Sequence, residues 1–400
     1  MVIIYYLIGG IELIIFFYLA MVCLHNIVFS VSGLFYKKHV YREVSKYYNK
    51  ILLLVPGYKE DAVICSVAEK LLNQNYPADK YDIMIIADSF MPSTLQKLKQ
   101  LPVFVKEVKF DNSTKIKSLK CALSDIPNGY DIGVILDADN VLEVNFLHKI
   151  NSRFIEGNVV IQGKRVAKNN NTSFAILDGL SESINNHIHR KGPVALGYSS
   201  SLIGSGMAFD FKLLKELVDM NNAVGGFDRE LQLTVVDRGI KIEYLDDAII
   251  YDEKVDNPVA FSHQRRRWLS SQFYYLRKYF VSGFKKLLIK GDINYFRFAV
   301  VNNILLPNVL YLPIILLMSL TSYLLKDYFI IDYIFWTIIA IFSLLAFYIP
   351  VYKRLFDYRL LLAFTSLPLV VIMMTKSLLK IKGANKSFIH TPHSHVEVKE

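Results

Sequence analysis

The chain has 400 residues and a formal net charge of +10, and 53% of its residues are hydrophobic, with a mean hydropathy of +0.30. That is too apolar for an ordinary soluble domain, and a 20% share of charged residues is too high for a protein lying wholly in a membrane. Cys23, Cys65 and Cys121 show no framework spacing, which argues against a disulfide scaffold and fits a reducing cytosol.

Residues 2–35 carry Glu12 as their one formal charge, near one end. The run is longer than a signal-peptide core and has no small-residue cleavage site, so a retained anchor over residues 1–36 is expected. Basic residues follow in Tyr36–Arg42 and recur in Gln264–Lys290 and Lys376–Lys386. All three clusters border apolar segments, so anionic headgroups on the cytoplasmic side explain them better than nucleic acid.

The middle of the chain alternates strand-like and helix-like runs. Ile51–Val55 reads as a strand stopped by Pro56-Gly57, and a helix follows from Glu60 to Asn73. Tyr81–Ala87 is a second strand, Thr94–Leu101 a helix, Val103–Phe110 a third strand and Lys115–Leu123 a helix. Tyr130–Leu136 is a fourth strand, running into Asp137-Ala-Asp139. Such alternation predicts an α/β fold with a mostly parallel sheet, in which ligands bind at the carboxyl ends of the strands. Acids stand at those ends: Glu60 or Asp61, then Asp88, then Asp137 and Asp139. Two acids one residue apart suit a hard divalent cation that also carries phosphate oxygens; a solvated turn is the plainer reading. There is no Walker loop and no dinucleotide fingerprint.

The second half is less regular. Val159–Gly163 reads as a strand and Ser173–His189 as a helix carrying Glu182, His187 and His189. Gly204-Ser205-Gly206 is a glycine turn, and Phe227-Asp228 opens a helix with acids in its first turn. Gln264-Arg-Arg-Arg267-Trp268 begins a basic amphipathic segment. Beyond it, Phe298–Leu325, Phe329–Pro350 and Tyr358–Leu379 are each long and apolar enough to cross a bilayer.

Taken in order, Val55–Glu60, Ile86–Asp88, Lys115–Leu123, Asp137–Asp139, Gly204–Gly206, Asp228 and Gln264–Trp268 resemble the membrane-bound family-2 glycosyltransferases. The Gln-x-x-Arg-Trp element resembles that of processive polysaccharide synthases, the hyaluronan, chitin, cellulose and poly-N-acetylglucosamine group. One departure is Phe227, where members usually carry Glu before the Asp. The resemblance implies a GT-A type nucleotide-sugar-binding domain over residues 37–270, flanked by transmembrane helices. It is followed by an amphipathic interfacial segment at 271–297, membrane helices at 298–380 and a tail at 381–400. It also implies inverting transfer from a nucleoside-diphosphate sugar, usually a UDP-sugar, onto a growing polysaccharide. The alternative is transfer of a single sugar to a lipid-linked acceptor.

In that scheme Asp139, with Asp137 nearby, holds Mg²⁺ or Mn²⁺, and Asp228 is the base. On its own Asp228 reads more readily as an N-terminal helix acid making only a cap or dipole contact. Glu60, Asp88, Lys115 and Arg267 take the donor, although a lone lysine on a basic helix is ordinarily solvated. Gly204, Ser205, Gly206, Gln264 and Trp268 face the acceptor; a tight turn and a plain interfacial helix start are the rival readings. His390, His393 and His395 invite a zinc reading without cysteine support. Phe388-x-x-Thr-Pro392 instead resembles the nucleotide-covering loop of cellulose-synthase-like enzymes, which would bring His390 or His393 to the diphosphate. Three full crossings after a cytosolic domain would leave that tail outside, so either Phe298–Leu325, broken by Pro307 and Pro313, does not simply cross, or another segment is re-entrant, or the tail reading is wrong. Four apolar segments are few for a pore, which points to single transfer, an oligomer or an export partner. A catalytically silent transporter or scaffold subunit would dispense with one of Asp88, Asp139 and Asp228, and all three are present.

Overall fold

In the computed structural model, which describes residues 2–39, 47–127 and 129–381, the apolar run at residue 51 forms the first strand, β1 (Ile51–Tyr58). Its neighbours are β2 (Tyr81–Asp88) and β3 (Phe104–Val108) on one side and β4 (Ile132–Ile135) on the other. Further along the chain come β5 (Val141–Leu142), β6 (Val160–Ala167), β7 (Met207–Asp210) and β8 (Glu243–Asp252). The eight strands lie in the order β3-β2-β1-β4-β7-β6-β8-β5. The described sheet is mixed: four pairings are parallel and three, β4·β7, β6·β7 and β5·β8, are antiparallel. Two of the three come from β7, which enters through the Gly204–Gly206 turn and inserts reversed between β4 and β6.

β1 does not stop at Pro56. It pairs with β2 as far as Tyr58 opposite Asp88, whereas its pairing with β4 ends at Leu54 opposite Ile135. The Leu54 carbonyl accepts from Leu136 N at 2.9 Å, so residues of that parity face β4. Pro56 therefore turns its missing N–H toward an edge where pairing has already ended, and the strand loses nothing.

Successive β1 residues bury opposite faces. Leu52 and Leu54 pack with Ile116 and Leu119 of helix Lys115–Asp125, and Ile51 and Leu53 with Val67 and Leu71 of helix Ile64–Leu71. Covering on both faces is why the strands read as unbroken apolar runs. Thr114 caps the first of these helices, its hydroxyl accepting from Lys117 N at 3.3 Å.

The apolar ends pack together around the sheet domain. Helices long and apolar enough to cross a membrane lie at Gly9–Phe35, Tyr333–Arg354 and Tyr358–Leu379. The expected Phe298–Leu325 segment is not one straight helix: Ile293–Ile304 and Asn308–Leu324 meet at a 68° bend next to Pro307. Carbonyls freed there find donors, Gln272 Nε2 to Asn303 O at 3.0 Å and Leu305 O at 2.8 Å, and the Tyr18 hydroxyl to Ile304 O at 2.8 Å. Glu12 is buried, and its carboxylate accepts from Ile330 N at 2.8 Å and Ile331 N at 3.0 Å ahead of helix Tyr333–Val351.

The N-terminal helix, Val2–Ser32, is joined to the sheet domain by close contact. Ser32 Oγ donates to Gly192 O at 3.0 Å, the His187 ring meets Ser30 O at 2.8 Å, and the Tyr36 hydroxyl donates to Tyr244 O in β8 at 2.6 Å. Gly192 is required there, because a Cβ on it would stand 2.1 Å from Phe29 O. The expected helix Ser173–His189 ends at Asn185 and passes into a π-helical turn, Asn186–Lys191, which carries His187 and His189. Helix Pro258–Lys290 is continuous through residue 270, so no break accompanies the boundary expected there. The tail histidines His390, His393 and His395 lie outside the described residues.

Candidate active site

A cavity of about 970 Å³ opens over the carboxyl ends of β1, β2, β4 and β8 and runs on between the apolar helices. Glu60, Asp88, Lys115, Asp137, Asp139 and Gly204 line it, together with Asp228, Gln264, Arg267 and Trp268. Ser205 and Gly206 are not on its wall: both are buried behind the turn, where a Cβ on Gly206 would meet Ile250 at 2.4 Å. Their backbone instead anchors the turn, with Gln162 Nε2 donating to Ser205 O at 2.9 Å.

Three carboxylates converge at the centre. Asp137, Asp139 and Asp252 can each offer an oxygen such that all lie within 4.8 Å of one another. Asp252 was missed by the sequence reading. β8 is separated from β4 by two strands, and the short β5 closes the distance by folding back onto β8, Val141 opposite Tyr251. Asn140 bridges the pair, its amide donating to Asp139 at 3.3 Å and Asp252 at 3.1 Å. The signal was present in the chain, since Ala248–Tyr251 is another apolar run ending in an acid.

Such a set of hard oxygen donors fits Mg²⁺ or Mn²⁺ and lacks the imidazole or thiolate that zinc prefers. Cations already offset part of the charge. Lys115 Nζ donates to Asp137 at 2.5 Å and to Gly204 O at 2.8 Å, and Lys254 Nζ donates to Asp252 at 2.8 Å. Behind them Glu182 pairs with Arg165 at 2.8 Å, Arg190 at 2.9 Å and Lys254 at 3.3 Å. Burial pushes the Glu182 carboxyl up, but these three cations together hold it well below the usual carboxylate range. Asp252 is likewise raised by burial and pulled lower by Lys254 and Arg165.

Asp228 sits in the first turn of helix Phe227–Asp237, after Gly226 in the left-handed region at φ 68°. Its Oδ2 is 3.9 Å from where a Gly204 Cβ would stand, and Lys115, which donates to Gly204 O and to Asp137, also acts electrostatically on Asp228. Burial raises its pKa above the ordinary carboxylate value, with Arg229 pulling the other way. A carboxylate so placed is a stronger base than a solvated one.

Asp88 is 1% exposed; Ser89 Oγ donates to its Oδ1 at 2.9 Å and its Oδ2 has no hydrogen-bond partner. Gln264 Oε1 is also buried without one. Arg267 is drawn below its ordinary pKa by burial, while Asp137 pulls it back up. Trp268 is 41% exposed, and the Arg265 guanidinium, paired with Asp178, lies 4.2 Å from its ring centroid.

A profile of the family described as "Glycosyltransferase like family 2" matches residues 49–271. The Bacillus subtilis protein named "Probable glycosyltransferase YdaM" is 22% identical over 269 residues, 65% of this chain and 64% of its own length. The β-monoglucosyldiacylglycerol synthase of Synechocystis is 22% identical over 228 residues, 55% of this chain and 47% of its own. The matches thus span less than two thirds of either relative. Among solved structures, the mannosyltransferase PcManGT of Pyrobaculum calidifontis, in complex with GDP-Man and Mn²⁺, aligns with a TM-score of 0.46 at 14% identity, over 85% of this chain and 99% of that one.

Proposed function

This chain belongs to glycosyltransferase-like family 2, and on that premise we propose that it moves a sugar, with inversion, from a UDP-sugar to a hydroxyl acceptor at a membrane face. The observation that carries this reading is the position of Asp228 in the same cavity as the three-carboxylate cluster, with Lys115 pairing with Asp137 and acting electrostatically on Asp228. A general base and a diphosphate-holding centre on one wall are the two halves an inverting transfer needs.

In this reading Asp88, the last residue of β2, and Glu60, just past β1, take the nucleoside, and the unpartnered Asp88 oxygen accepts from it. Asp139, Asp137 and Asp252 hold Mg²⁺ or Mn²⁺, which supplies Lewis-acid neutralisation of the departing diphosphate. Arg267 and Lys115 add positive charge to the same leaving group. Trp268 offers an apolar face to the sugar ring. The acceptor hydroxyl loses its proton to Asp228 as its oxygen bonds the anomeric carbon. The bond from that carbon to the diphosphate oxygen breaks, and its electron pair leaves with the nucleotide. The site is then a GT-A type domain over residues 37–270, fixed to a membrane by the helix at 1–36 and those at 298–380. The catalytic side faces the cytoplasm, where nucleotide-sugars are made.

The Gln-x-x-Arg-Trp element favours a growing polysaccharide as acceptor. A lipid-linked acceptor is favoured by the aliphatic wall beyond Asp228 and by the name of one relative, a synthase of a glucosylated diacylglycerol. The test of the shared reading is UDP release from a panel of UDP-sugars by purified membranes with Mn²⁺, beside an Asp228→Asn control. Release with one donor that vanishes in the control is the expected result. Release indifferent to Asp228 would remove the base assignment, and no release with any donor would remove the UDP-sugar class.

A further inference from the structure

The cavity that holds Asp228 has linings of different chemistry. On one wall stand Asn26, Arg190 and Asn302, contributed by the N-terminal helix, the π-helical turn and the bent segment before Pro307. Asn26 is 1% and Arg190 4% exposed, yet Asn26 Nδ2, Arg190 Nε and Asn302 Oδ1 have no hydrogen-bond partner. An unpaired amide buried in an apolar helix costs stability unless a ligand satisfies it. The same wall adjoins the base, because Arg229, the residue after Asp228, donates to Asn303 at 2.5 Å.

The other walls are apolar. Leu312, Leu344, Phe347, Tyr348, Phe364 and Val370 line the cavity between helices that the proposed function sets in the bilayer. A hydrated glycan lying there would leave its hydroxyls against aliphatic surface, at a cost for each one unpaired. Acyl chains would not.

Charge decides the kind of headgroup. Arg190 is paired with Glu182 at 2.9 Å, and Arg229 adjoins Asp228. His189 between them is held neutral, first by burial and then by His25 and the neighbouring arginines. What the three lining side chains leave unsatisfied is hydrogen-bonding capacity, two donors and an acceptor; the Arg297 guanidinium, whose Nε and Nη1 are also without partners, does not line the cavity. That mixture suits hydroxyls.

We infer that the acceptor is a neutral, hydroxyl-headed membrane lipid. Its headgroup sits among Asn26, Arg190 and Asn302 with one hydroxyl toward Asp228, and its chains lie against Leu312, Phe347 and Val370. This rests on the proposed sugar transfer and names its second substrate. The bond made joins the headgroup oxygen to the anomeric carbon, the bond broken frees UDP, and the proton goes to Asp228.

The experiment uses the full chain in dioleoylphosphatidylcholine vesicles with Mn²⁺ and the radiolabelled UDP-sugar panel. The added acceptors are dioleoylglycerol, glucosyl-dioleoylglycerol, dioleoylphosphatidylglycerol, free glycerol or free glucose. UDP release and label extracted into chloroform are read separately. The inference expects label on a neutral lipid in preference to the anionic lipid and the free polyols. It expects Asn26→Leu to raise the KM for that lipid roughly five- to tenfold, the loss of about one hydrogen bond, with the donor KM changed less than about twofold. Leu312→Trp, which narrows the apolar part, should raise the same KM even if Asn26→Leu fails to insert. UDP release with label in lengthening water-soluble chains would overturn the lipid acceptor and leave the transferase standing. Preference for the anionic lipid would overturn the neutral headgroup. Absence of UDP release with every donor would bring down the transferase reading and this inference together.

Discussion

The Lys115 ammonium lies 2.5 Å from the Asp137 carboxylate, occupying the flank of the cluster that a divalent cation would otherwise share. The lysine therefore competes with the metal before the donor arrives and assists it afterwards, when diphosphate brings two negative charges. Lys115→Met should bind Mn²⁺ alone several-fold more tightly and yet raise the donor KM about tenfold, a 1.4 kcal/mol effect. Calorimetric titration with Mn²⁺, set beside UDP-release kinetics, checks both halves.

Asp228→Asn should lower kcat by about 10²–10⁴ with little change in donor affinity, since the base acts on the acceptor. Burial also makes the ionised form costly. The folded-state pKa is raised, so the folded chain holds the proton more tightly and the carboxylate destabilises the protein at pH above that value. The neutral amide should accordingly melt higher at pH 7, which thermal denaturation in detergent reads.

The same shift fixes one limb of the pH profile. Activity needs Asp228 ionised, so it should fall as pH drops through a pKa above the usual value of about 3.9. Arg229 pulls that pKa down, and Arg229→Leu should move the acidic limb to higher pH. A limb that stays in place would detach the profile from Asp228.

Asp252→Asn removes one of the three converging oxygens without touching the sequence motif beside β4. Metal affinity should weaken by roughly 10–100-fold, a magnitude common for changes around metal ligands. The Mn²⁺ concentration needed for half-maximal UDP release would show it, and chelation should stop release in the parent protein.

Glu182→Gln leaves Arg165, Arg190 and Lys254 buried without their shared counter-charge, a change that typically costs about 3–5 kcal/mol. Its folded pKa lies well below the unfolded one, so its contribution is present at neutral pH and is lost as pH falls through the folded value. Denaturation midpoints for the two proteins should therefore differ at pH 7 and converge in acid.

Much of this site was legible because its chemistry lies at strand ends. An apolar run stopping at Asp88, or at Asp137 and Asp139, is visible in one dimension. Asp252 shares the pattern, but its nearness to Asp139 depends on β5 folding onto β8, which no local spacing encodes. The Pro56-Gly57 stop misled because the cost of a proline in a strand depends on which neighbour it faces. Ser205 and Gly206 read as site residues from their turn, although the turn shows only Gly204 to the cavity. Glu182 looked like one more helix acid until three cations from distant segments met it.

The carbonyls at the 68° bend set an order of assembly. Ile304 O is satisfied by Tyr18, 286 residues earlier, so this helix leaves the ribosome long before the bend can fasten it. Until residue 304 has been made, that helix can hold its place through lipid and through its docking on the sheet domain, Ser32 on Gly192, Ser30 on His187 and Tyr36 on Tyr244. Nascent chains arrested before the bend should keep the N-terminal helix open to protease and crosslinker, and chains released beyond it should not. Closing the loop between Tyr18 and Ile304 is then the step that fastens the N-terminal helix to the bent segment.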